Sequence, residues 1–369
     1  MSNPPFTYKF YTTTAQAWDA MYQAILGAQK SIFWEIYILL DDTAGTRFVE
    51  ALCAKAKVGL EVKLVLDAVG SLSFTAQSQK KLKEAGVDLV WFNALGLAWN
   101  PITWLNRLWR RNHRKVLIID EGLAFLGGVN VEAEAANWSD LYIKITGKVV
   151  RPLLRGFAKS YIHALGPRKN VRRLLHPKLM VEFKEWRAKI KFITHSPVYA
   201  SHRFLLKNLY YRALELAKES VTLVSPYYVP DKKFLRLIAE AKARGVKVKI
   251  ILPWRPYHWF MEHLAQSFYN LTYRAGAELY FVKKMMHGKA LSMDDKTGFV
   301  GSSNLTPRSF NLNEESGVFF SEEKMVKELN GILDDWQKEA VPFGDVSLKK
   351  QSWFGRLISW LANKLRDYV

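Results

Sequence analysis

The sequence predicts an α/β fold built from two similar mixed-sheet domains, and three observations carry that reading. A chain of 369 residues is long enough for about two domains with sizeable cores. Strand-like runs alternate with stretches of helical length, the pattern of parallel or mixed sheets. Above all, one stretch occurs twice. His113-Arg114-Lys115, followed by Asp120, Gly127-Gly128 and Asn130, returns as His287-Gly288-Lys289, followed by Asp294, Gly301-Ser302 and Asn304. Both copies read H-x-K-x-x-x-x-D, and every one of these positions is offset by 174 residues. A duplication that repeats His, Lys, Asp and Asn repeats chemistry as well as scaffold.

The elements follow in order. Residues 14–29 carry apolar side chains at helical spacing with a threonine cap. Ser31 to Leu40 reads as a buried strand, 44–58 as helix, and Glu61 to Asp67 as the next strand. Residues 74–85 read as helix, with Gly86 as its C-terminal cap before a strand from Val87 to Phe92. The series then returns. Ala213 to Asp231 resembles Ala24 to Asp42, Ala241 to Leu252 resembles Ala54 to Leu66, and Arg274-Ala275-Gly276 resembles Glu84-Ala85-Gly86.

After that glycine the halves part. His113 comes 27 residues after Gly86 and His287 only 11 after Gly276, so the first half carries about 16 extra residues before its motif. They mix Trp99, Trp104 and Trp109 with Arg107, Arg110 and Arg111. Such a mixture suits a membrane interface, where rings sit at headgroup level and cations meet phosphate. Packing on the other half is the competing reading. Residues 147–165 read as helix, Pro167 to Pro177 as a basic linker, and Ile190 to Thr194 as the return of the sheet. Residues 349–369 place Trp353, Phe354, Leu357, Ile358, Leu361 and Leu365 on one face of a basic amphipathic helix. That helix could lie on a membrane or dock on the protein.

Composition narrows the partner. Lys and Arg total 54 against 34 Asp and Glu, a net charge of +20, which predicts an anionic surface: acidic lipid or nucleic acid. With 13 Trp, 16 Tyr and 21 Phe the chain is globular rather than disordered. Cys53 is the single cysteine, so no internal disulfide is possible and a reducing compartment fits. The N-terminal residues lack a charged-then-apolar signal pattern. The apolar run Ile32 to Leu40 contains Glu35 and falls short of the ~20 residues of a membrane span. The expectation is a cytoplasmic protein, peripheral on the inner face of the cell membrane.

The motif carries its own chemistry. On an extended chain, residues i and i+2 share a face, so His113 projects with Lys115 and His287 with Lys289. Asp120 and Asp294 complete the motif at the far end of each strand, where a carboxylate braces structure. Asn130 and Asn304 lie in the next turn, where an amide can reach the site. Two such units facing each other suit phosphoryl transfer. One imidazole attacks phosphorus, the other passes protons, and Lys and Asn hold the nonbridging oxygens. No metal and no cofactor is expected, because the cations are side chains. The remaining histidines, His163, His176, His195, His202, His258 and His263, lack this context and read as structural.

The doubled unit resembles the phospholipase D superfamily and, within it, the bacterial cardiolipin synthases. Further residues carry the resemblance: Glu35-Ile36-Tyr37-Ile38, Leu64 to Asp67, Ser225-Pro226-Tyr227-Tyr228, and Asn304 to Phe310 with Asn313 and Glu315. It implies two fused phospholipase D-like domains, 1–166 and 186–348, related by a pseudo-twofold. Residues 167–185 would link them and 349–369 would form the tail. It implies His113 and His287 as nucleophile and acid/base, His113 being the leading choice for nucleophile. It also implies an acidic residue from each half orienting a histidine, for which Glu315 and Asp140 are the candidates. Tyr257 departs from the pattern, standing where an acidic residue is expected, which bears on the acceptor alcohol. The activity implied is transfer of a phosphatidyl group from one phosphatidylglycerol to another on an anionic membrane. A phospholipase D using water or another alcohol is the first alternative. A nuclease or a catalytically dead binding module fits less well.

Overall fold

In the computed structural model, residues 6–94, 100, 107–176, 189–199 and 202–345 are described. Trp99, Trp104, Trp353, Phe354, all of 177–185 and the whole tail 349–369 lie outside them.

The first half contributes strands β1 (Thr7–Thr13), β2 (Ser31–Ile36), β3 (Glu61–Asp67), β4 (Asp88–Phe92), β5 (Val116–Ile119), β6 (Leu123–Gly127) and β7 (Ser139–Thr146). Its helices are α1 (Thr14–Gly27), α2 (Thr46–Lys57), α3 (Ala76–Glu84) and α4 (Arg151–His163). The second half contributes β8 (Ile190–His195), β9 (Ser220–Val224), β10 (Lys247–Pro253), β11 (Glu278–Val282), β12 (Ala290–Met293), β13 (Thr297–Gly301), β14 (Glu315–Phe320) and β15 (Ala340–Pro342). Its helices are α5 (Leu205–Leu216), α6 (Lys232–Ala243), α7 (Trp259–Arg274), α8 (Pro307–Asn311) and α9 (Glu323–Lys338).

The two sheets share one topology. The first runs β1-β7-β6-β5-β2-β3-β4, and the second runs β8-β14-β13-β12-β9-β10-β11 with β15 added at its edge. In each, the parallel set (β2, β3, β4 or β9, β10, β11) meets an antiparallel set at the motif strand, β5 or β12. Local chemistry explains the boundaries. Thr13 caps α1 by accepting from the Gln16 amide, Thr75 caps α3 through Ser78, and Asp231 caps α6 through Phe234. Gly86 and Gly276 follow α3 and α7 at φ +92° and +104°, a conformation that favours glycine.

Three apolar clusters hold the layers. One lies between the first sheet and α1–α3, built on Trp18, Met21, Trp34 and Phe48. A second lies between the second sheet and α5–α7, built on Tyr210, Phe234, Ile250 and Phe268. The third joins the halves: α4 and α9 bury Phe157, Tyr161, Leu329 and Trp336 among Phe33, Ile118, Val224 and Val300. The halves therefore share a core and place their motif strands on either side of it. The expected linker begins with 3-10 turns over Arg168–Leu175, with Val171 and Leu174 buried and Arg173 paired to Glu61 and Glu121. Those residues are docked on the first half. Among the described residues no helix is long and apolar enough to cross a membrane.

Candidate active site

Each H-x-K unit sits in the extended segment just before its strand, where the chain crosses to the other half. The His113 amide donates to the Glu314 carbonyl at 2.9 Å, and the Glu314 amide returns to Arg111 at 2.9 Å. Its counterpart pairs Ser139 with Met285 and His287, at 3.0 and 2.6 Å. These bridges stitch each motif to the strand that carries the opposite half's acid. Glu315 reaches His113 Nδ1 with both oxygens at 3.0 Å. Asp140 Oδ2 lies 2.9 Å from His287 Nδ1. Gly128 makes the second contact possible, since a Cβ there would stand 2.1 Å from Asp140 Oδ1. Its repeat partner Ser302 instead donates its hydroxyl to Glu315.

Electrostatics assign the protons. Burial drives His113 down to about 4 and, with Lys289 adding to it, His287 down to about 3, so both imidazoles are neutral near neutral pH. Burial pushes Glu315 and Asp140 up, but the facing His and Lys more than reverse this, and both carboxyls lie below their ordinary values. An ionised acid on Nδ1 fixes the tautomer: Nδ1 carries the proton and Nε2 carries the lone pair. Lys115 Nζ donates to the His113 carbonyl at 2.8 Å and rests over the Tyr37 ring. Lys289 Nζ stands 2.8 Å from His287 Nε2. Burial lowers Lys115 to about 8 and Lys289 well below its usual value. Both lysines donate to their own histidine's carbonyl, and the two histidines differ in that Lys289 also engages Nε2 of His287.

A cavity of about 350 Å³ opens beside His113. Its polar lining is Asn304, Thr306, Arg308, Ser309 and Asn313, and its aromatic wall includes Tyr37, Trp109, Tyr227 and His258. Asn130 and Asn304 are buried, and the side-chain oxygen of each lacks a hydrogen-bond partner.

Asp120 and Asp294, part of the catalytic motif but read as braces, stand apart from the paired histidines and lysines. They stand at the far ends of β5 and β12, in turns with two successive positive-φ residues, and each accepts from three successive backbone amides. Gln29, Lys30 and Ser31 bind Asp120, and Lys218, Glu219 and Ser220 bind Asp294. These carboxylates brace the start of β2 and β9. Arg111 is not a membrane contact: it is buried with its guanidinium on Asp67 at 3.4 Å, where the carboxylate offsets part of its desolvation. Trp109 lines the cavity, and Arg110 alone of these three is exposed. His258, read as structural, also lines the cavity.

Sequence reasoning missed the buried network behind the site. Arg114 holds Glu314 at 2.6 Å, the Glu315 carbonyl at 3.1 Å and the His195 carbonyl at 2.8 Å, with Glu35 at 3.9 Å. Its only signal was a charged residue at the variable position of the motif. Tyr257 reaches across the halves and donates to Glu134 at 2.5 Å.

Two like sheets that converge doubled His and Lys on one site define a protein of the phospholipase D class. The family profile described as cardiolipin synthase, PLD-like domain, matches residues 21–161 and again 210–336, and the chain belongs to that family. A cardiolipin synthase of Clostridium perfringens (strain SM101) is 32% identical over 332 residues, covering 86% of this chain and 68% of that protein. The cardiolipin synthase of Geobacillus thermodenitrificans is 28% identical over 363 residues, covering 96% and 70%. Among solved structures, the phosphatidylserine synthase of Haemophilus influenzae Rd KW20 superposes with a TM-score of 0.72 at 14% identity, covering 97% of this chain and 92% of that one. The polyphosphate kinase of Porphyromonas gingivalis gives 0.60 at 14% identity, over 97% and 53%. These two likenesses concern the fold alone.

Proposed function

We propose that the protein is a cardiolipin synthase, a phosphatidyltransferase that joins two phosphatidylglycerols and releases glycerol. One observation carries the reading: in a chain of this family, each half supplies a neutral imidazole whose Nδ1 is held by the other half's carboxylate. The lone pair of His113 Nε2 attacks phosphorus. The P–O bond to glycerol breaks, and the Lys289 ammonium, 2.8 Å away, passes a proton through the free Nε2 of His287 to the leaving oxygen. The primary hydroxyl of a second phosphatidylglycerol then loses its proton to His287 and attacks phosphorus, and the P–N bond breaks. Lys115, Asn130 and Asn304 stabilise charge on the nonbridging oxygens. His113 is the better nucleophile because it faces the cavity and because Lys289 occupies Nε2 of its counterpart. Glu315 and Asp140 act by orienting, and they stabilise each imidazolium as it forms.

The substrate membrane is anionic, and the chain's net +20 supports peripheral binding at the inner face of the cell membrane. The test is purified protein on phosphatidylglycerol vesicles with excess chelator, reading lipid products and free glycerol together. Cardiolipin with matching glycerol, lost in His113→Ala, is the expected result. Phosphatidic acid without cardiolipin would overturn the synthase reading in favour of a hydrolase.

A further inference from the structure

The cavity beside His113 contains a cation that the two-histidine chemistry does not use. Arg308 lies on the short helix α8 and lines the cavity with Asn304, Thr306, Ser309 and Asn313. The buried arginines Arg111 and Arg114 both have carboxylate partners. Arg308, only partly exposed, makes no side-chain hydrogen bond or ion pair among the described residues. Beside it Asn313 is 5% exposed, and its side-chain oxygen has no partner. A partly buried guanidinium lining an open cavity, with no counter-ion among the described residues, is arranged for an anion that arrives with the ligand.

The internal repeat shows that this charge is peculiar to one side. Counting back 174 residues, Asn304 corresponds to Asn130, Thr306 to Glu132 and Arg308 to Glu134. The same turn is therefore acidic in the first half and basic in the second. Glu134 is engaged by Tyr257, and Glu132 by the Asn130 amide at 3.5 Å. The transferred phosphoryl group sits between the two histidines, where Lys115 and Lys289 already supply charge. A second anionic group is thus needed to account for Arg308, and one substrate brings it. In cardiolipin formation the acceptor alcohol carries its own phosphodiester, three carbons from the attacking hydroxyl. Water, glycerol and simple alcohols carry none.

We propose that Arg308, with Asn313 beside it, forms a subsite for the phosphodiester of the acceptor phospholipid, so that the enzyme selects a second phosphatidylglycerol over water or neutral alcohols. This rests on the synthase reading and extends it. The guanidinium takes no part in bond making. It holds the acceptor so that its hydroxyl meets the phosphohistidine at His113, while His287 removes the hydroxyl proton.

The test uses the full chain on phosphatidylglycerol vesicles with 1-butanol added. Cardiolipin, phosphatidylbutanol and phosphatidic acid then arise from one phosphoenzyme, and their ratio reports only on the acceptor step. Arg308→Gln should lower the ratio of cardiolipin to phosphatidylbutanol at least tenfold and raise the share of phosphatidic acid, with Arg308→Lys in between. A ratio within twofold of wild type, whatever the total turnover, would overturn the proposal: Arg308 would then serve the common intermediate or the fold. Wild-type protein that makes phosphatidylbutanol but no cardiolipin would sink the synthase reading itself. That failure appears without any variant, so the two are distinguishable.

Discussion

The two halves repeat the same site with different supports. Position x of H-x-K is Arg114 in the first half and Gly288 in the second. Arg114 holds Glu314 and lies near Glu35 in a buried network, whereas Gly288 exists to admit Trp336, whose ring would stand 2.7 Å from an added Cβ. Behind the acids, Gly128 makes room for Asp140, while Ser302 donates to Glu315. Both lysines reach their histidine's carbonyl, but Lys289 alone also reaches the ring. Duplication preserved the His, Lys and Asn of each half, and divergence acted on what stands behind and beside them. A symmetric scaffold became a directional site.

The largest expected effect breaks that symmetry directly. His113→Ala should abolish turnover and leave no label on the protein when phosphatidyl-labelled lipid is supplied. His287→Ala should slow turnover by about 10²–10⁴-fold yet still retain label at His113. Label found in the His113 variant instead would exchange the two roles.

The supports come next. Arg114→Leu would leave Glu314 buried without its main counter-charge, near Glu35, and should destabilise the protein by about 3–5 kcal/mol in urea unfolding. Gly288→Ala should cost about 1–3 kcal/mol through overpacking on Trp336. Equal costs at the two positions would show that the supports differ less than the contacts suggest.

Asp120→Ala and Asp294→Ala each orphan three backbone amides, and each should lower stability by about 1–3 kcal/mol. Turnover per folded molecule should fall less than tenfold in both. A loss as deep as that of the histidine variants would return these residues to the reacting set.

The smallest effect is a shared pH dependence. The unfolded histidines take up protons near pH 6.5, but His113 and His287 do so in the folded protein only near 4 and 3. Between about pH 6.5 and 4 the unfolded chain binds more protons, so stability should fall as pH falls. Thermal melting across that window checks it, and in His113→Ala the slope should be shallower. An unchanged slope would place the titration elsewhere.

Much of this was legible before any coordinates. The duplication was visible because H, K, D and N recur at one constant offset. The strand and helix order followed from periodicity, with the strand Glu61–Asp67 read at its observed ends. The i, i+2 rule put His and Lys on one face, and the bracing role of Asp120 and Asp294 followed from their place at the strand end. The acid partners were harder. Asp140 comes ten residues after Asn130 and Glu315 eleven after Asn304, so the repeat slips by one between them. A constant offset pairs Asp140 with Glu314, which instead holds Arg114.

By itself, then, the sequence determined two like domains, the doubled imidazoles and ammoniums, and the class of chemistry they suit. These depend on residue type and short-range spacing, which one strand expresses alone. Only the tertiary structure decided which carboxylate orients which histidine, that Arg111 is buried on Asp67, that Trp109 and His258 line the cavity, and that Arg308 stands there without a partner among the described residues. Each is a contact between distant segments, and most cross from one half to the other. Their choice follows from how the two sheets pack around a shared core, where burial makes every charge find a partner or await one.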